Sequence, residues 1–235
     1  MKTKTLIKSS LLAYLSIMMS GSLWAASAKD IVISPMLIHI APIDKTEAVI
    51  SDVPALAANN GVVPGLDLSA SSETIPGLGL SYFVNEKLAV ETYLAFPPTH
   101  DILISGFPGI DKGASADMLP FSVFGQYHHA IPETPLTLVG GIGLIYAMFE
   151  DIDTAAALSQ LDPSLTFSAD DTFGFSFQLG GEYKLNDKFH LRATYTKMLL
   201  EADLVVKTAM PNLGNLSSTL TLNPDIFMVG VGYKL

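Results

Sequence analysis

The sequence contains no cysteine among its 235 residues, which excludes disulfide bonds and thiolate metal sites. Only 15% of the residues are charged, and 23 acidic residues outnumber 13 Lys and Arg residues to give a formal net charge of −10. Nucleic-acid binding needs basic stripes, so an acidic chain of this kind predicts no nucleic-acid partner.

Long hydrophobic runs are also missing. After the first thirty positions no apolar run is long enough to cross a membrane as a helix, because a spanning helix needs about 20 such residues. Almost half of the residues, 49%, are nevertheless apolar. Only helices and closed barrels satisfy their backbone polar groups in lipid, so a membrane location would require a β-barrel.

The first 28 residues have the pattern of a secretory signal peptide. Lys2, Lys4 and Lys8 form a basic start, an apolar segment follows over residues 11–19, and Ala26-Ser27-Ala28 fits a small-residue cleavage site. The apolar segment is too short for a membrane anchor, so we expect cleavage after residue 28 and one domain over 29–235. Cleavage would remove three lysines and no acid, changing the net charge from −10 to −13.

Residues 172–200 predict two β-strands joined by a tight turn. Phe173, Phe175, Phe177 and Leu179 alternate with small or polar residues, and side chains of a strand point to opposite faces in turn. A three-residue turn at 186–188 would place Glu182 opposite Arg192 and Lys184 opposite His190. Alternation alone fits both a soluble sandwich and a membrane barrel, whose apolar faces are buried inside or turned to lipid.

The same alternation recurs along the chain and predicts eight strands. We place them at residues 31–42, 69–83, 88–96, 119–128, 136–149, 172–185, 189–200 with an extension toward 206, and 219–235. Long loops are predicted at 43–68, 99–118, 150–171 and 207–218, with a short helix at 154–161. Long loops alternating with short turns are typical of outer-membrane barrels. The predicted fold class is all-β: an eight-stranded antiparallel transmembrane barrel with short periplasmic turns and long extracellular loops.

Several stretches, taken in order, resemble the outer membrane protein W (OmpW) family. They are Phe96 to Ile102, which contains a Pro-x-x-His-Asp-Ile pattern; Leu119-Pro120 with Gln126-Tyr127; Val139 to Gly143; Asp171 to Gly174, with Phe173 at a position usually held by tryptophan; and the C-terminal Asn223 to Leu235, where Leu235 replaces the usual final aromatic residue. The resemblance implies a monomeric barrel in the bacterial outer membrane that passes small hydrophobic molecules. It also implies contacts with outer-membrane lipids and lipopolysaccharide, and a C-terminal strand read by the barrel assembly machinery.

Strand parity predicts two layers inside such a barrel. An apolar vestibule toward the extracellular end is predicted to be lined by Leu220, Leu222, Leu200 and Met198, and the family position of Phe173 places that residue beside them. A polar network is predicted below it, formed by Glu91, Tyr93, Gln178, Glu182, Lys184, His190 and Arg192. A mixed set of buried charges satisfies itself, so we interpret this network as structural.

Enzymatic and metal chemistry are not indicated. The histidines are scattered without ligand spacing, and no cofactor is predicted. Ser122 and His128 share the inward face of one strand but lie six residues apart, about 20 Å, which is too far for a nucleophile and its base.

Two functions remain open. The first is a narrow pathway for small hydrophobic or amphipathic molecules, and the second is a non-conducting barrel that acts as a surface receptor, adhesin or membrane stabiliser. A filled interior below Leu200 and Leu222 favours the second function, whereas a continuous gap or a lateral opening favours the first. Proline cannot complete a ladder of backbone hydrogen bonds, so a lateral opening is predicted near Pro97-Pro98 or Pro224.

Overall fold

The computed structural model describes residues 27–42, 45–46, 48–53, 60–106, 109–209 and 214–235. The predicted signal peptide, apart from Ser27 and Ala28, lies outside the described residues. In chain order the elements are β1 (Ile31–Ala41), β2 (Lys45–Thr46), β3 (Ile50–Ser51), β4 (Asp67–Ala70), β5 (Glu73–Phe83), β6 (Leu88–Ala95), β7 (Thr99–Ser105), β8 (Lys112–Ala130), β9 (Leu136–Thr154), α1 (Ala156–Leu161), β10 (Thr166–Ala169), β11 (Thr172–Lys184), β12 (Phe189–Leu199), β13 (Glu201–Lys207), β14 (Leu216–Thr221) and β15 (Asp225–Lys234).

Eight of these strands close into a ring. Following the ring, β1, β5, β6, β8, β9, β11, β12 and β15 are each antiparallel to the next, and β15 pairs again with β1. This confirms the predicted eight-stranded antiparallel barrel. In the part of the chain that the structure describes, no helix is long and apolar enough to cross a membrane.

Three short turns lie at one end of the barrel, which we call the lower end; the opposite end, with the longer connections, is the upper end. In two of these turns an asparagine side chain accepts hydrogen bonds from the backbone. Asn85 Oδ1 accepts the backbone N–H groups of Lys87 and Leu88 at 2.8 and 2.9 Å, and Asn186 Oδ1 accepts those of the two residues at the matching positions. Side-chain acceptors of this kind fix turn geometry locally.

The register of the β11–β12 hairpin agrees with the sequence-based prediction. Glu182 lies opposite Arg192, and Lys184 lies opposite His190. A register shift of one residue would send every charged side chain to the lipid face, so the register decides where the interior charges meet.

Much of the predicted loop structure at the upper end is wrong. Residues 99–118, predicted as a loop, form β7 and the start of β8, with Thr99 opposite Asp117. Further along, β10, β13, β14 and β2 form a second sheet, to which β3 is joined through β14. The buried residues of β7 and upper β8 alternate with exposed or partly buried ones. The glycines and short polar residues of this stretch obscure this period-two signal in the sequence. The predicted helix at 154–161 is confirmed as α1.

The exposed fractions of the side chains show which face of the barrel wall points outward. Apolar side chains of the outer wall are more than half exposed, as at Leu37, Phe121, Ile142, Phe175 and Leu179. Many interior side chains of the lower half are instead polar and buried, among them Glu91, Gln126, Gln178, His190 and Arg192. A soluble sandwich would bury its apolar face instead. The inverted pattern is that of a transmembrane barrel, whose apolar band faces lipid.

Candidate functional site

A buried ion pair crosses the middle of the barrel. Glu91 on β6 and Arg192 on β12 lie on opposite sides of the ring, separated by three strands in either direction. Arg192 Nη1 donates to Glu91 Oε1 at 2.5 Å, and Nη2 donates to Oε2 at 2.7 Å. Arg192 is 3% exposed and Glu91 is 0% exposed. A paired guanidinium and carboxylate of this geometry link the two walls directly.

Further polar side chains complete the hydrogen bonding of this pair. Glu91 also accepts hydrogen bonds from Ser81 Oγ at 2.8 Å, from the Tyr93 hydroxyl at 2.5 Å, and from Gln126 Nε2. Gln178 accepts from Gln126 Nε2 at 2.5 Å and donates to the Tyr93 hydroxyl at 2.7 Å. Side chains from four of the eight strands (β5, β6, β8 and β11) thus join Arg192 of β12 in one network. We call this network, together with the charged layer beneath it, the plug.

A second layer of the plug lies toward the lower end. Its centre is Glu182, whose carboxylate lies 3.5 Å from Nδ1 of His128, 3.7 Å from Nε2 of His190 and 3.9 Å from Nη1 of Arg192. The ring of His190 occupies space that only glycine leaves free, because a Cβ atom at Gly232 would overlap it. The small residues of the inward faces therefore make room for the large polar ones, as expected for a narrow barrel.

The predicted polar network is brought together except for one residue. Glu91, Tyr93, Gln178, Glu182, His190 and Arg192 belong to the plug. Lys184 lies apart at the lower end, where its ammonium group pairs with Asp187 of the turn at 2.8 Å. Reasoning from the sequence did not assign Ser81, Gln126 or His128 to the network, although all three lie on the inward parity of their strands.

Apolar side chains fill the interior above the plug. Met36, Ile38, Ile145, Met198 and Met228 form a buried cluster there. Met198 therefore lies inside the barrel, in a packed layer between the plug and the space above it, and does not line either of the two upper cavities described next.

Two apolar cavities lie above this cluster. The first, which we call the vestibule, has a volume of about 50 Å³ and is lined by Ile40, Pro42, Ala70, His100, Ile102, Ala116, Met118, Phe149, Ala169, Leu200, Ala202, Leu204, Leu222 and Pro224. The second, the outer cavity, measures about 150 Å³ and is lined by Val49, Val63, Pro64, Leu66, Leu68, Ile104, Gly106, Leu158, Leu165, Phe167, Leu204, Val206, Leu216, Ser217 and Ser218. Leu204 belongs to both linings, so the two cavities adjoin at this side chain.

The vestibule includes two of its predicted lining residues, whereas Met198 and Phe173 do not line it. Leu200 and Leu222 line it. Leu220 pairs through its backbone with Ala202, but its side chain lies outside what the structure describes. The prediction for Phe173 is wrong: its side chain is 79% exposed on the outer wall, where its ring packs 4.5 Å from that of Tyr146. The strand parity of Phe173 pointed outward, and parity prevails over the family position.

The barrel wall is interrupted beside the vestibule. β6 and β8 are paired from Leu88 opposite Tyr127 to Thr92 opposite Val123, and β7 takes over from β6 only at Thr99 opposite Asp117. Residues 93–98 and 118–122 therefore face each other across a stretch without ladder pairing, which we call the wall break. It is bounded below by a hydrogen bond from Thr92 Oγ1 to the Ser122 carbonyl oxygen at 2.8 Å.

Prolines account for the wall break. Pro97 and Pro98 follow the end of β6, and Pro120 lies in β8 across from them; none of the three has an N–H group to donate to a ladder. At the upper edge the N–H group of Met118 donates to the Pro98 carbonyl oxygen at 3.1 Å. Since Met118 also lines the vestibule, the vestibule and the wall break adjoin. The backbone pairing is therefore interrupted near Pro97-Pro98, where the sequence predicts a lateral opening.

Comparison with solved structures supports the fold. The structure superposes with a TM-score of 0.81 on the outer membrane protein OprG from Pseudomonas aeruginosa, covering 91% of this chain and 99% of that one at 22% identity. The outer membrane protein AlkL, solved in lipid bilayers, gives a TM-score of 0.62 over 92% and 94% of the two chains at 21% identity. Outer membrane protein W of E. coli gives 0.57 over 89% and 99% at 20% identity.

Sequence comparison covers almost the whole chain. Outer membrane protein W of Vibrio cholerae is 27% identical over 233 residues, which are 95% of this chain and 96% of that protein. Outer membrane protein AlkL of Ectopseudomonas oleovorans is 25% identical over 179 residues, or 76% and 73% of the two chains. The sequence model of the OmpW family matches residues 28–235. The chain therefore belongs to the OmpW family and is an eight-stranded β-barrel of the bacterial outer membrane.

Proposed function

We propose that this barrel lets small hydrophobic or amphipathic molecules enter the outer membrane from outside the cell. In this proposal a molecule passes the outer cavity, occupies the vestibule and leaves sideways through the wall break. The single observation that carries the proposal is the adjacency of the vestibule to the wall break, above a packed apolar layer and a plug that together close the barrel axis.

The plug argues against passage along the axis. A solute moving straight through would have to separate Arg192 from Glu91, and both groups would lose their partners away from water. Breaking a buried ion pair costs about 3–5 kcal/mol, and the plug has further hydrogen bonds to lose. Lateral departure above the plug leaves all of these interactions in place.

The chemistry of the upper half suits apolar solutes. The vestibule and the outer cavity are lined almost entirely by aliphatic and aromatic side chains, and each Å² of apolar surface removed from water contributes about 25 cal/mol. The edges of the wall break carry apolar side chains as well: Leu94, Phe96 and Phe121 are all more than half exposed on the outer surface. A solute that leaves through the wall break would therefore meet a continuous apolar path into the lipid.

The second candidate function is a non-conducting barrel that serves as a surface receptor, adhesin or stabiliser. The filled plug favours it, because a barrel closed along its axis is not a pore for ions or water. Both candidate functions therefore predict no ion conductance in a planar bilayer. Uptake of an apolar solute distinguishes them.

The test is the uptake rate of a labelled long-chain alkane by cells that lack their own barrels of this family and express either the wild type or a variant. Leu222→Arg places a charge in the vestibule and is expected to reduce uptake to the level of cells without the protein. Leu161→Arg is the matched control, because Leu161 is 58% exposed at the end of α1 and its replacement should leave uptake unchanged. Equal uptake by wild type and Leu222→Arg, with both barrels folded, would refute the proposed pathway and leave the receptor or stabiliser function.

A further inference from the structure

The vestibule contains one titratable side chain, His100, in an otherwise apolar lining. His100 lies on β7 at the upper edge of the wall break and is 8% exposed. Its Nδ1 atom lies 2.8 Å from the carbonyl oxygen of Ser71. Its Nε2 atom is buried and has no hydrogen-bond partner among the residues that the structure describes.

The partner of Nδ1 fixes the state of the ring. A carbonyl oxygen only accepts hydrogen bonds, so Nδ1 must carry the hydrogen and donate it. In a neutral imidazole with its hydrogen on Nδ1, the other ring nitrogen, Nε2, is a hydrogen-bond acceptor.

We infer that the vestibule selects molecules that carry one hydrogen-bond donor at the end of an apolar body, and that His100 Nε2 is the acceptor for that donor. Aliphatic primary alcohols are the simplest members of this class. The inference rests on the proposed function, since it names the chemistry of the solute that the vestibule receives, and it makes His100 a specificity-determining residue.

The selectivity follows from the partner that each solute offers to Nε2. A water molecule can satisfy this atom while the vestibule is empty. An alcohol that displaces the water replaces its hydrogen bond, whereas an alkane or an ether displaces it and leaves a buried acceptor unpaired. Unpaired buried groups weaken binding, and we expect a preference for the alcohol of roughly five- to tenfold over an equally large molecule without a donor.

Two isomers provide a clean comparison. n-Octanol and heptyl methyl ether contain the same atoms, but only the alcohol has a donor. Binding of each is measured with the full barrel in lipid nanodiscs, relative to empty nanodiscs of the same lipid, and imidazole nitrogen NMR follows the histidine rings. The wild type is expected to prefer n-octanol by roughly five- to tenfold, with a shift of the His100 Nε2 resonance and little change at the other histidines.

Three variants separate the role of Nε2 from general damage. His100→Leu should bind both isomers equally, because it removes the acceptor and keeps an apolar side chain. His100→Gln should retain part of the preference, since its amide group offers a donor for Ser71 and an acceptor for the solute. His39→Leu is the matched control: His39 is exposed on the outer face and bonds Thr74 through Nδ1, so its loss should leave the preference intact.

The possible results discriminate the inference from the proposed function. Equal binding of the two isomers by the wild type would overturn the role of His100 and leave the apolar pathway standing. Binding of neither isomer above the lipid background would contradict both the role of His100 and the proposed apolar pathway. A preference for n-octanol that survives in His100→Leu would also overturn the inference, because another group would then have to accept the hydrogen bond.

Discussion

Replacement of Arg192 by methionine should destabilise the barrel more than any replacement of a charge on its outer wall. Methionine keeps an unbranched apolar stem but removes the guanidinium, which pairs with Glu91 and lies 3.9 Å from Glu182. Two buried carboxylates would then share the remaining polar partners. Removing one partner of a buried ion pair costs about 3–5 kcal/mol of unfolding free energy.

The same structure supplies a control on the same strand. Lys197 of β12 faces outward and pairs with Asp225 at 2.9 Å, with the two side chains 28% and 24% exposed. Exposed pairs of this kind contribute up to about 1 kcal/mol. Lys197→Met should therefore cost much less than Arg192→Met, although both substitutions remove one positive charge from one ion pair.

The assay is equilibrium unfolding by urea in phospholipid vesicles, followed by circular dichroism and by the electrophoretic mobility of the folded barrel. A double-mutant cycle with Glu91→Gln isolates the pair. Once Arg192 is methionine, neutralising Glu91 removes a buried unpaired charge, so the double variant should be less destabilised than the sum of the single variants by at least about 1 kcal/mol.

Equal destabilisation by Arg192→Met and Lys197→Met would refute this reasoning. That result would mean that water screens Arg192 as it screens a surface group, and that the plug does not close the axis. Passage along the axis would then be open, and ion conductance of the wild type would become the expected outcome.

Three further predictions concern other parts of the structure. Pro120→Ala supplies a backbone donor at the wall break, where the side of β8 that faces β6 is unpaired, and should lower alkane uptake several-fold without loss of the folded fraction; unchanged uptake would argue against lateral exit. Gly232→Ala overlaps the ring of His190 and should cost about 1–3 kcal/mol in urea unfolding, whereas Gly125→Ala, which meets no atom within 4 Å, should cost less than half as much. Asp162, just after α1, accepts hydrogen bonds from Ser164 and from the chain that follows β13; these bonds lower the pKa of its carboxyl group to about 2. The carboxylate therefore stabilises the upper end fully above its unfolded pKa near 4 and loses this effect as pH falls toward 2, so limited proteolysis between pH 5 and 2 should accelerate in the wild type but change less in Asp162→Asn.

The two errors of the sequence-based prediction have different origins. Residues 99–118 contain buried alternation, but their glycines and short polar side chains weaken the apolar signal, and the strands there extend past the membrane, where no lipid-facing band marks them. Phe173 was assigned inward by family position alone, whereas the period of two along β11 placed it outward. Local periodicity was therefore the better guide for Phe173, whereas in residues 99–118 its apolar signal was too weak to mark the strands.

The sequence by itself determined the class of the protein. Alternation with a period of two, the spacing of short turns and long connections, and the absence of a spanning apolar run together predicted an eight-stranded barrel, and parity named most of the plug. These features are local, because each depends on neighbouring residues of one strand. Tertiary structure alone decided that Glu91 and Arg192 meet across the ring and that the vestibule adjoins the wall break. It also decided that His100 enters the vestibule with a nitrogen that has no hydrogen-bond partner among the described residues. Each of these depends on strands far apart in sequence, whose relative height is set only when the ring closes.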